Sequence, residues 1–194
     1  MLLQKLKITS LAVFMLLTTN TTLADDGPSQ TCSNAADLAK EGDVAGALEE
    51  ARWCVTQLEQ LKQNEVTSFF KDNISGYKGS KIEQQQVMGM SIIERNYTKD
   101  DSQIKVTLTG GESKAASNAF SALASFGMQM APSGKKIRIQ KRSAVIMDDD
   151  GSAQVVVTLK SGGMLTFESS SVSVNSVAAF AKKFPVADLD SSRN

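Results

Sequence analysis

The run Gln103-Ile104-Lys105-Val106-Thr107-Leu108-Thr109 alternates apolar and polar side chains at every second position. Successive side chains of an extended chain point to opposite faces, so this is the pattern of a strand with one face in a core and the other in water. Gly110-Gly111 closes it. Upstream, Val87 to Thr98 reads as a second long strand. Downstream, Lys136 to Ile139, Ala144 to Met147, Ala153 to Leu159 and Met164 to Glu168 follow in close order, with turn signals at Asp150-Gly151 and Gly162-Gly163. Connections this short join antiparallel neighbours, because a parallel crossover needs about a dozen residues or more.

Helical segments flank these strands. An Ala- and Ser-rich helix is expected over about Lys114 to Met130, inserted between the second and third strands, and another over about Ser176 to Lys183, stopped by Pro185. At the other end, Thr31 to Leu61 has helical periodicity broken once at Glu41-Gly42-Asp43. The first piece carries Ala35, Leu38 and Ala39; the second carries Val44, Ala47, Leu48, Ala51, Val55 and Leu58 at the spacing of one buried face. Asp43 is a suitable N-cap, so the two pieces form a helical hairpin, with helix continuing to about Phe70. The expected fold is α+β: a hairpin over residues 25–75, then an antiparallel sheet of about six strands with one inserted and one C-terminal helix over 76–190, and a short tail at 191–194.

Residues 1–24 have the three parts of a secretory signal peptide: a basic start at Lys5 and Lys7, an apolar run from Ile8 to Leu17, and small residues around Thr22-Leu23-Ala24 before a cut. That apolar run is shorter than the roughly 20 residues that span a bilayer, so no transmembrane segment is expected. Cleavage leaves 19 basic against 21 acidic residues, a net charge of about −2, which argues against a nucleic-acid partner. Cys32 and Cys54 are an even pair in an exported chain and read as a disulfide. In an antiparallel hairpin turning near Gly42 they reach nearly the same height. The expected location is the periplasm.

Two resemblances follow from longer stretches. Leu38 to Ala51, with Gly42-Asp43 and Ala47-Leu48 inside it, resembles one tetratricopeptide repeat unit, although the chain holds no second copy. Gly76-Tyr77-Lys78-Gly79, then Met88 to Lys99, a small-residue helix, a hairpin and a C-terminal helix containing Phe180 resemble a group of uncharacterised exported bacterial proteins. The resemblance implies an envelope location and no particular activity.

Histidine is absent from the chain, which removes the commonest general base and metal ligand and with them Ser-His-Asp, Cys-His and His-based zinc sites. A Ser-x-x-Lys such as Ser133 to Lys136 is expected by chance among so many serines. No enzyme activity and no cofactor are expected. Asp148-Asp149-Asp150-Gly151 lacks the alternating ligands of a calcium loop and reads as an acidic turn. Met88 and Met90 fall on one face of a strand, and Met128 and Met130 form a second pair. Thioethers select Cu(I), while Met is also an ordinary core filler.

Two surfaces complete the candidates. Lys135, Lys136, Arg138, Lys141 and Arg142 form a basic cluster around one strand, either a solvated face or a contact for anionic lipid headgroups or an acidic partner. Ala115 to Ser133 has no charged residue, and Phe120, Leu123, Phe126 and Met130 make an apolar stripe suited to a buried helix, an apolar ligand or a membrane. Trp53 is expected to pack in the core, with a partner anchor as the alternative. The function expected is a non-catalytic periplasmic binding or interaction protein with an envelope protein or lipid as partner. The alternatives are a methionine-based Cu(I)-binding protein and an immunity or inhibitor protein against a toxin or hydrolase.

Overall fold

The structure is a computed structural model that describes residues 27–87, 90–111, 134–149 and 151–193. Residues 1–24, expected to be a signal peptide, the stretch expected to form an inserted helix with Phe120, Leu123 and Phe126, and Met88, Met128 and Met130 lie outside the described residues. The chain divides into two compact units, with the boundary between Val55 and Thr56.

The first unit holds most of a helical hairpin, whose second helix runs on past Val55 into the second unit. Helix α1, Pro28–Glu41, begins earlier than its apolar pattern because Pro28 occupies its first turn, where a missing N–H costs nothing. It ends at Gly42 in the left-handed conformation (φ 86°), with the Asp43 amide returning to the Leu38 carbonyl at 3.0 Å. Helix α2, Val44–Thr67, starts at once, and Asp43 caps it by accepting the Gly46 amide at 3.0 Å. Cys32 and Cys54 form the disulfide, with Cα atoms 5.0 Å apart.

The second unit holds a nine-stranded antiparallel sheet. Its strands are β1 Asn73–Ile74, β2 Tyr77–Gly79, β3 Glu83–Val87, β4 Met90–Lys99, β5 Ser102–Gly111, β6 Lys135–Ile139, β7 Arg142–Asp149, β8 Ser152–Thr158 and β9 Met164–Ser169. They run in the order β1-β2-β4-β5-β9-β8-β7-β6, with β3 also on the β4 edge. Nine strands replace the six expected because β1 and β2 are too short to show a pattern and because β3, exposed and with no apolar alternation, shows none either, its last residue Val87 having been expected to begin the next strand. Val87 pairs with Met90, so β3 lies antiparallel to β4.

One face of the sheet carries the core. Ile93 and Tyr97 of β4, Ile104, Val106 and Leu108 of β5, Leu165 and Phe167 of β9, and Val155 and Val157 of β8 are all buried. Helix α3, Val174–Lys183, capped by Ser173, lies on the core face and inserts Phe180 among Tyr77, Tyr97 and Phe167 at ring distances of 5.3, 5.2 and 6.2 Å. Phe184 follows, edge-on to Phe70 and Phe167. A further short helix, α4, Val186–Ser192, adds buried Val186 and Leu189. The opposite sheet face is polar along β5 and β9, where Lys105 meets Glu168 at 3.6 Å and Thr107 donates to Glu94 at 3.1 Å.

Candidate functional site

Helix α2 presents its apolar side to solvent. Val44 is 74% exposed, and Leu48 and Val55 are each 51% exposed. With half-buried Ala51 between them, the intervals are four, three and four residues, which draw a straight seam along a helix. Leu58 continues the spacing and is also exposed. The face expected to be buried is thus the open one. The reason is which side α1 takes: the disulfide ties α1 to the Cys54 side, a quarter-turn or so around from the seam, and buries Cys54 and Thr31 instead. Trp53, expected in the core, is 51% exposed for the same reason, since it points away from the Cys54 side.

In the second unit, a cleft of about 470 Å³ is lined by Asn64, Phe70, Lys71, Lys81, Ile82 and Arg95, among others. Arg95 is buried and already committed. Its Nε donates to the Ser80 carbonyl at 2.6 Å, Nη1 to the Phe70 carbonyl and Nη2 to Asp72 Oδ1 at 2.5 Å, while the guanidinium stands 5.7 Å from the Tyr97 ring centre. It clamps the 70–80 segment to β4, and its donors are used on protein. Nothing in the sequence singled it out, because its partners, backbone carbonyls and the Asp72 carboxylate, lie 15 to 25 residues away in the chain.

The basic cluster divides in two. Lys135, Lys136, Arg138 and Lys141 are exposed, as expected. Arg142 does not belong with them. Its Nε donates to Asp190 Oδ2 at 2.7 Å, and Nη1 and Nη2 to the Gln140 and Ala187 carbonyls at 2.9 and 3.2 Å. Asp190 is fully buried and also accepts the Ser161 amide at 2.8 Å. Burial alone would raise the Asp190 pKa, but these donors outweigh it and hold the carboxyl below its ordinary value. Arg142 is an internal fastener between β7 and α4.

Of the methionines proposed for copper, Met90 is described, partly buried at the start of β4. Asp148 and Asp149 end β7 and precede the turn to β8 at Gly151, which has φ 83°. No helix among the described residues is long and apolar enough to cross a membrane. Neither known protein families nor curated proteins yield a match to this chain.

Proposed function

We propose that this chain is an exported, non-catalytic interaction protein of the bacterial envelope whose partner lays an amphipathic helix against the apolar seam of α2. The observation that carries this reading is the row of exposed Val44, Leu48 and Val55, with half-buried Ala51 between them, on a hairpin held by a disulfide. A monomeric surface scatters its apolar residues singly, whereas a contiguous row marks a contact. Its alternation of four- and three-residue steps is the seam spacing of paired helices, so the complementary surface is a helix with the same spacing. The disulfide suits an oxidising compartment, and the apolar run at the N-terminus supplies a route there.

The test is photo-crosslinking in the native host. A crosslinking residue at Leu48 is expected to trap a discrete polypeptide that the same residue at Glu49, on another side of the helix, does not. The purified partner should then bind the native protein and fail to bind a Leu48→Glu, Val55→Glu variant. Identical products from both positions, or none from Leu48, would end this reading.

A further inference from the structure

A second surface, in the other unit and independent of the α2 reading, surrounds the end of the sheet at which β6 is the outermost strand among the described residues. Lys136 and Arg138 are exposed on the side of β6 away from Ile137 and Ile139, in register with buried Val145 and exposed Ser143, with Lys135 at its start. The turn to β7 carries Lys141, and both turn residues have positive φ, 47° at Gln140 and 66° at Lys141. Gln140 binds this turn to the end of α3. Its Nε2 donates to the carbonyls of Lys182 and Phe184 at 3.1 and 2.8 Å, and its Oε1 accepts the Ala187 amide at 2.7 Å. Lys182 and Lys183 are thereby fixed close to the turn that bears Lys141. All six cations are exposed, and none is ion-paired among the described residues.

Local rules account for parts of this arrangement. Lysines on an edge strand discourage edge-to-edge pairing, and lysines in the last turn of a helix complement its dipole. Neither rule calls for the two groups to be joined, which is what Gln140 does. Five of the six are lysines, flexible point charges without the planar fork with which arginine reads one carboxylate. Such a set fits a smeared negative potential better than a shaped acidic groove. The chain as a whole has equal numbers of acidic and basic residues, so this concentration is a local polarisation. We infer that the β6 edge, its turn and the end of α3 dock on an anionic lipid surface.

The experiment is flotation of the mature chain, starting at Asp25, with vesicles of phosphatidylcholine and phosphatidylglycerol in equal parts, and with vesicles of phosphatidylcholine alone. Binding is expected to the anionic vesicles at about 0.01 M salt and to be lost at about 1 M, where charges are screened within about 3 Å. With each cation near the surface worth about fivefold in partitioning, Lys136→Glu, Arg138→Glu and Lys141→Glu together should weaken binding about a hundredfold or more. Lys182→Glu with Lys183→Glu should weaken it by at least about twentyfold. A control reversing the exposed Lys62, Lys78 and Lys99 changes net charge equally and should leave binding within about fivefold. The inference fails if the native chain does not float at low salt, if it binds both vesicles alike, or if the control loses as much as the triple variant. Tighter binding to a polyglutamate peptide than to vesicles would overturn it in favour of an acidic protein.

Discussion

Arg142, the first residue of β7, and Asp190, near the C-terminal end of α4, meet at 2.7 Å with the carboxylate fully buried. A buried pair of this kind holds its elements in register, and removing one partner strands the other charge without solvent. Asp190→Ala is expected to destabilise the protein by about 3–5 kcal/mol, measured by urea unfolding. A loss below about 1 kcal/mol would show that Arg142 simply turns outward to water.

The same carboxylate sets an acid limit. Its pKa is lower folded than unfolded, so its stabilisation is fully present above the ordinary value of 3.8 and fades as pH falls through the folded value. Melting temperatures recorded from pH 5 downward should therefore fall more steeply for the native protein than for Asp190→Asn. Parallel curves would remove Asp190 from the account of acid unfolding.

An alkaline limit follows from Tyr97. Burial pushes its hydroxyl up from 10.0 to about 12, against a smaller opposing influence of the Arg95 charge. The stabilisation is complete below the unfolded value near 10 and is lost as pH rises through about 12. Tyrosinate absorbance is expected to show one ring that ionises only as the protein unfolds. Tyr97→Phe should remove that late step.

The disulfide closes a loop with a sequence separation of 22 residues. Chain-entropy arguments give it about 3 kcal/mol. Replacing both cysteines by serine should lower hydrogen-exchange protection in α1 first, while amides of β5 and β9 keep theirs. Free-thiol titration of the denatured, unreduced native protein should find none. Two reactive thiols per chain would refute the bridge.

Exposure on α2 predicts tolerance. Leu48→Glu and Val55→Glu should each change stability by no more than about 0.5 kcal/mol, as open surface positions do. Phe180→Ala, which empties the ring cluster under the sheet, should cost about 3–5 kcal/mol. If the α2 variants unfold the protein instead, the seam is covered by its own chain and offers no surface to a partner.

How far these features could be read from the sequence depended on range. The hairpin and its disulfide were legible because Gly42, Asp43 and the two cysteines act over short distances. Strands β4 to β9 showed themselves wherever alternation ran long enough, while β3 stayed hidden apart from Val87, because Gln84 to Gln86 offer no apolar rhythm and β3 is exposed throughout. Periodicity also found the apolar stripe on α2 without revealing which side α1 would cover. Arg142 looked like surface for a similar reason: a strand pattern assigns a face, but the partner that fills the space above it, Asp190, lies 48 residues later.

The strand order has a consequence for how the protein comes to be made. β5 sits in the middle of the sheet, and its second neighbour is β9, with Val106 opposite Phe167 and Leu108 opposite Leu165. The aromatic rings that seal this pair, Phe180 and Phe184, come later still. Synthesis must therefore pass Phe184 before the centre of the sheet can close, and the pairing of β4 with β5 lacks a lid until then. Until the segment carrying Phe180 and Phe184 appears, the nascent chain keeps the centre of its sheet open. Truncation a few residues before Phe180 should leave a polypeptide that never seals its core.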